Sequence, residues 1–247
     1  MSDSSIWTER HRPKTFKEII GQEKIVARIS SFVKQKNIPH LLFSGPSGTG
    51  KSTIAIITAM ELFGEDWRQN FLETNASEER GIQTVREKIK DYVRTKAMGT
   101  DLPKIIFLDE ADALTREAQQ ALRRMMEQYT STARFILSCN YGSKIIDPIQ
   151  SRCAIFRFKP LEKEHIKNLI EKISKDEKLK VDSKAVDAIY QISEGDIRRV
   201  INLLQSSASI SKNITEPLIY EISSAAEPKE LKQVLELALS KNFLKAK

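Results

Sequence analysis

The chain has 247 residues, enough for one or two globular units, and 40% apolar with 30% charged content, 9 Gly and 8 Pro excludes a disordered, collagen-like or low-complexity polymer. A net charge of +7 permits a polyanionic partner without requiring one, because a solvated basic surface gives the same balance. No stretch reaches the ~18 uncharged apolar residues of a membrane span, no apolar secretory core opens the chain, and Cys139 and Cys153 lack the CxxC spacing of a zinc site.

In chain order, Ile25, Ile29, Phe32 and Val33 recur at helical spacing and mark a core-facing stripe. Short apolar runs at 40–43, 71–74, 105–108, 135–139 and 154–158 predict strands. Helical patterns such as Ile82, Val85, Ile89 and Val93 separate them, which predicts a parallel sheet covered on both faces.

The first strand runs into Gly45-Pro46-Ser47-Gly48-Thr49-Gly50-Lys51-Ser52, a complete GxxxxGK[ST], and a helical pattern begins with Thr53. Glycines let backbone N–H groups turn inward around a β-phosphate, and the helix that follows presents its positive end to the same anion. Lys51 then reaches the β- and γ-oxygens and the Ser52 hydroxyl is a ligand for Mg²⁺. The third strand ends in Asp109-Glu110. Alternation along a strand would send these side chains in different directions, Asp109 toward Mg²⁺ and Glu110 toward the attacking water as general base; a capped strand end is the bland alternative. Asn140 closes the fourth strand and would contact the γ-phosphate or the water if that strand neighbours the first, although Asn after a strand is more often a turn residue. Met98 and its neighbours, in the loop before Pro103, are an apolar candidate for a protein contact.

After Pro160 the strands stop. Stripes at Ile166, Leu169, Ile170 and Ile173, then Ala185, Val186 and Ile189, then Val200, Ile201 and Leu204 predict a small all-helical unit, which residues 217–223 complete. Gly195-Asp196 reads as a helix stop followed by a new N-cap. A further amphipathic helix begins near Pro228. The expected division is 1–160, 161–226 and 227–247.

These residues together resemble the AAA+ ATPases, and the finer wording resembles the replication factor C small subunits, the archaeal and eukaryotic clamp-loader family. The phrases that carry it are Arg12-Pro13, Ile20-Gly21-Gln22, Asn37-Ile38-Pro39-His40-Leu41-Leu42, Asn75-Ala76-Ser77-Glu78-Glu79-Arg80-Gly81-Ile82, Ala118-Gln119-Gln120-Ala121-Leu122-Arg123-Arg124, Ser151-Arg152-Cys153 and Gly195-Asp196-Ile197-Arg198. The resemblance implies an α/β P-loop domain with a five-stranded parallel sheet, followed by a helical lid. It implies that Arg12, Pro13, Ile20 and Gly21 border the adenine of ATP or ADP, and that Arg198 on the lid reaches the phosphates, coupling lid angle to nucleotide state. Arg152 matches an arginine finger that acts on nucleotide in the adjacent subunit. Arg80 and Arg86 match phosphate-contacting positions for primer-template DNA; pairing with Glu78, Glu79 or Glu87 is the alternative.

The implied partners are a large subunit and other small subunits in a heteropentamer, a sliding clamp of the proliferating cell nuclear antigen type, and DNA, with no membrane. The implied location is intracellular, in the cytoplasm or nucleoid of an archaeon or the nucleus of a eukaryote. Another AAA+ motor, such as a branch-migration helicase, and a non-catalytic nucleotide switch are the competing readings. The wording departs from the family at His11, commonly Tyr, at Ser47, usually Pro, and at Ser52, usually Thr. Family members continue into a helical collar that holds five subunits together, and only its first helix is expected here.

Overall fold

The structure is a computed structural model that describes residues 6–77 and 82–224, with the side chains of 82–86 outside the description. In chain order the helices and strands are α1 (Trp7–Arg10), α2 (Glu23–Lys34), β1 (His40–Ser44), α3 (Lys51–Phe63), β2 (Phe71–Asn75), α4 (Ile82–Arg94), β3 (Lys104–Asp109), α5 (Arg116–Gln128), β4 (Ala133–Cys139), α6 (Asp147–Gln150), β5 (Cys153–Arg157), α7 (Lys163–Glu177), β6 (Lys180–Val181), α8 (Ser183–Ser193), α9 (Ile197–Ile210), β7 (Asn213–Ile214) and α10 (Glu216–Ser223). The five expected strands are present, each within one or two residues of its expected bounds.

All five main strands pair in parallel, in the order β2-β3-β4-β1-β5. Because successive side chains on a strand point to opposite faces, each apolar strand supplies two cores. Leu41, Phe43, Ile105, Phe107 and Ile136 pack with Ile29 of α2 and Ile54, Ala55 and Ala59 of α3. Leu42, Ile106, Leu108, Phe135 and Leu137 pack on the other face with Ile89 and Val93 of α4 and Leu122, Met125 and Met126 of α5. Strands buried on both sides read as continuous apolar runs, which is why β1, β3 and β4 carry almost no exposed residue. Lys104, buried at the start of β3, is an exception with a purpose. Its Nζ donates to the Tyr92 carbonyl at 3.0 Å and Thr95 Oγ1 at 2.6 Å, placing a cation on the C-terminal turn of α4. Both cysteines are free, and burial raises both thiols, Cys153 to about 12, so neither is a reactive thiolate at neutral pH.

The described residues form two compact units, 12–160 and 161–224, with residues 6–11 joined to the second. The expected first division placed residues 6–11 with the sheet. The structure ties them to the helical unit: buried Trp7 donates its N–H to Gln205 Oε1 at 3.0 Å, and Arg10 Nη1 and His11 Nε2 each lie 2.9 Å from Glu177 Oε1. In that unit α7, α8, α9 and α10 bury Ile166, Ile170, Ile173, Ala185, Ile189, Val200, Leu204 and Ile219. Glu194 and Gly195 both take left-handed backbone (φ 52° and 82°), and Asp196 Oδ1 accepts the Arg199 N–H at 3.1 Å, the stop and cap that Gly195-Asp196 predicts. One two-residue parallel pair, β6 with β7, adds to the helices. The helix expected from Pro228, and the whole of 227–247, lie outside the described residues. No helix among the described residues is long and apolar enough to cross a membrane.

His40 joins β1 to β4 through its ring: Nδ1 accepts the Phe135 N–H at 3.0 Å, which requires an unprotonated Nδ1. Burial, aided by the nearby Arg134 charge, lowers its pKa from 6.5 to about 4. A depressed folded-state pKa means that this residue's stabilisation is complete above pH 6.5 and is lost as pH falls toward 4, by up to about 3 kcal/mol. Urea denaturation across that interval should give a shallower pH slope for His40→Gln than for the unaltered chain; equal slopes would show that His40 does not carry the dependence.

Candidate nucleotide-binding site

Three strand ends converge because β4 lies between β1 and β3. The loop leaving β1 begins at Gly45, whose N–H donates to the Cys139 carbonyl at 3.2 Å, tying it to the end of β4. Gly45 has φ +153°, and a Cβ there would stand 2.4 Å from the Phe158 carbonyl oxygen, so backbone passes where any side chain would be. Gly50, at φ +96°, turns the loop into α3, and its carbonyl accepts the Ile54 N–H at 2.9 Å. The first residue of this 13-residue helix is Lys51, only 7% exposed. Its Nζ donates to the Gly45 and Pro46 carbonyls at 2.6 and 2.7 Å and to Asn140 Oδ1 at 3.2 Å. Thr49 Oγ1 closes the loop on the Pro46 carbonyl at 2.9 Å. The result is a helix N-terminus and a buried cation facing one loop, an arrangement complementary to phosphate.

Ser52, next on α3, donates its hydroxyl to Asp109 Oδ2 at 2.8 Å. A hydroxyl and one carboxylate so close are hard oxygen donors of the kind Mg²⁺ uses when phosphates complete its shell. No cluster of three or more His, Cys, Asp or Glu suited to a metal occurs among the described residues. Glu110 differs from expectation in its backbone. The strand ends at Asp109, and Glu110 sits in left-handed backbone at φ 53° before the 3-10 turn Ala111–Ala113. Glu110 thus lies in a turn and not in the strand, and a non-glycine residue held there costs of order 1–3 kcal/mol.

Sequence spacing missed Asp112. Its Oδ2 accepts the N–H groups of Asn140 and Tyr141 at 3.3 and 3.1 Å, fixing the turn that carries Asn140. Phe158 was missed too: its N–H donates to the Ser44 carbonyl at 2.7 Å and its backbone walls Gly45. Both depend on which strands are neighbours, which no spacing encodes.

Residues 41–161 match the family model described as ATPase family associated with various cellular activities (AAA), and residues 163–216 match the RFC1-like, AAA+ ATPase lid domain. A replication factor C small subunit from Methanocella arvoryzae is 53% identical over 244 residues, which is 99% of this chain and 76% of that protein. Another, from Archaeoglobus fulgidus, is 51% identical over 247 residues, which is 100% of this chain and 77% of that protein. The chain belongs to the replication factor C small-subunit family. It is therefore an AAA+ ATPase, a nucleotide-binding subunit of the clamp-loader type. The solved Holliday junction branch migration motor RuvB of Thermotoga maritima superposes with a TM-score of 0.70 over 92% of this chain and 79% of its own, at 18% identity, a likeness of fold alone.

The other residues that replication factor C wording singles out are more dispersed. Arg12 and Pro13 are half-buried, as are Ile20 and Gly21; Gly21 has φ 74° and donates its N–H to Glu23 Oε1 at 2.9 Å. The neighbouring Gln22 side chain donates to the Lys159 carbonyl at 2.8 Å, securing this segment beside the sheet. The His11 ring is engaged by Glu177 and lies edge-on to Trp7, with centroids 6.0 Å apart. Ser47 is exposed at the loop tip and Gly48 has φ 64°, while Thr53 is the third residue of α3. Arg152 follows α6, and Arg198, exposed, is the second residue of α9 in the helical unit. Arg80 and the side chain of Arg86 lie outside the described residues.

The close backbone at Gly45 makes a direct prediction. Gly45→Ala should retain the circular dichroism of the unaltered chain but bind ATP at least about tenfold more weakly, since the loop must shift to clear Phe158. Equal affinity in a fluorescent-nucleotide titration would show that this loop does not hold phosphate.

Proposed function

We propose that this chain is the ATP-binding half of an intersubunit hydrolytic site in a clamp loader, and that a neighbouring subunit supplies the other half. The observation that carries the reading is the pair of contacts from the start of α3 to two strand ends, Lys51 to Asn140 and Ser52 to Asp109, which join residues far apart in sequence beside the glycine-rich loop.

In this reading the loop N–H groups and Lys51 hold the β- and γ-phosphates, and Asn140 distinguishes triphosphate from diphosphate by its amide. Ser52 Oγ and Asp109 Oδ2 would hold Mg²⁺, which neutralises charge on the phosphate oxygens when bound. Glu110 accepts a proton from water as the water oxygen attacks the γ-phosphorus and the bond to the ADP oxygen breaks. Arg12, Pro13, Ile20 and Gly21 border the base. Arg198 answers to the phosphates from the lid, a role supported by its charge in the first turn of α9, where a cation opposes the helix dipole and gains nothing for stability. Arg152 stabilises charge on the γ-phosphoryl group held by the adjacent subunit.

The assembly proposed is a heteropentamer with a large subunit and other small subunits. ATP at the seams organises it to open a ring clamp of the proliferating cell nuclear antigen type and to grip primer-template DNA, with Arg80 and Arg86 on DNA phosphates. Met98 is the proposed clamp contact: it is 55% exposed, and the buried Asn70 side chain clips its backbone through Nδ2 to the Met98 carbonyl (2.9 Å) and the Met98 N–H to Oδ1 (2.8 Å). A large apolar side chain on a secured loop suits a partner's apolar pocket.

The test is ATP turnover by the chain alone, with its large subunit, and then with clamp and primed DNA. Stimulation should require the full set; processive strand separation would instead favour a motor. In the assembly, Glu110→Gln should bind ATP normally while lowering turnover by about 10² or more, and unaltered turnover would remove Glu110 from its role. Arg152→Ala should lower assembly-dependent turnover by about 10³ without weakening ATP binding by its own subunit; loss of that subunit's own affinity would place Arg152 in the wrong site.

A further inference from the structure

Arg152 does not project loosely from the surface. Its Nη2 lies 2.5 Å from Glu127 Oε1, near the C-terminal end of α5, and its Nη1 donates to the Pro148 carbonyl of α6 at 2.7 Å. Two anchors on different elements fix both the position and the rotation of the planar guanidinium. A guanidinium has five N–H donors, so these contacts leave Nε–H and further terminal hydrogens for another acceptor. Glu127 Oε1 also accepts from Arg123 Nη1 at 3.3 Å, so α5 holds the carboxylate itself from the preceding turn.

Stability does not account for this arrangement. The side chains of Arg152 and Glu127 are 36% and 40% exposed, and ion pairs that open to solvent contribute little to folding. Orientation does account for it. A long arginine side chain loses rotamer freedom when it engages a phosphate, and that loss is already incurred where a carboxylate holds it in place.

We infer that Glu127 is a positioning residue for Arg152, holding the guanidinium in the attitude from which it engages nucleotide on the adjacent subunit. This rests on the reading of Arg152 as the residue that acts in trans. Glu127 touches neither nucleotide nor the reacting atoms, so its contribution is to the rate at the neighbouring site and not to binding at its own.

The test uses the assembled loader, with steady-state ATP turnover measured in the presence of clamp and primed DNA. Glu127→Ala should lower kcat about tenfold with KM altered less than about twofold, while the melting temperature and the ATP affinity of its own subunit stay as in the unaltered protein. Introduced together with Arg152→Ala it should lower kcat no further than Arg152→Ala alone, because a positioning residue has nothing to position once the guanidinium is gone. Glu127→Gln, which keeps an acceptor oxygen, should restore part of the lost turnover.

The two layers fail differently. If Arg152→Ala leaves assembled turnover unchanged, the reading of Arg152 is wrong and the inference falls with it. If Arg152→Ala lowers turnover but Glu127→Ala does not, or raises it, or the two losses multiply in the double variant, the reading of Arg152 stands and the positioning role of Glu127 is overturned.

Discussion

The placement of β4 between β1 and β3 is the constraint on which the site depends. Lys51 and Ser52 are consecutive on one helix, yet their partners, Asn140 and Asp109, come from the ends of two different strands. The parallel order brings those ends side by side, where open α/β sheets gather their ligands. Register matters as much as order: a slip of one residue would turn every side chain of β4 to the opposite face, exchanging the Phe135 and Leu137 set for that of Ile136. The His40 ring, which spans β1 and β4 by accepting the Phe135 N–H, therefore does more than fill space. It supports the strand pairing from the end opposite the phosphate loop.

Backbone constraint at the site sits at two residues. Glu110 stays in left-handed backbone, and Gly45 is pressed against Phe158. Helix ends away from the site follow ordinary chemistry, with Thr115 capping α5 and Asp196 capping α9. Left-handed backbone also occurs at Lys36, Lys178, Glu194 and Ser224, at or just after helix ends, whereas Glu110 adopts it directly after a strand. In the proposed reading the same economy extends to the seam: one chain builds a complete phosphate cradle, and the α5–α6 corner presents Arg152 to a different one.

Much of this was legible in the sequence because it is local or periodic. Gly45 through Ser52 announces its loop by spacing alone, the strands announce themselves as apolar runs, and Gly195-Asp196 marks a helix stop and cap through the chemistry of two residues. Asn140 stood one condition away, since its approach to Lys51 follows once β4 is known to neighbour β1. Asp112, Phe158 and Glu127 were not legible, because each acts through a contact between elements whose adjacency no spacing encodes. The attachment of Trp7 to Gln205 escaped for the same reason, across nearly the whole chain. Strand alternation does not extend to Glu110, because the strand ends at Asp109 and Glu110 takes left-handed backbone, which no spacing encodes.

In the proposed reading, a chain able to bind ATP by itself cannot complete hydrolysis by itself. The direct measurement is turnover per chain, with nucleotide occupancy read in parallel, as the companion-subunit mixture is diluted through the concentration at which it dissociates. Turnover should fall with the assembled fraction while occupancy per chain stays high. Turnover per chain that remains constant after dissociation, with the mass of a lone chain verified in the same sample, would contradict it.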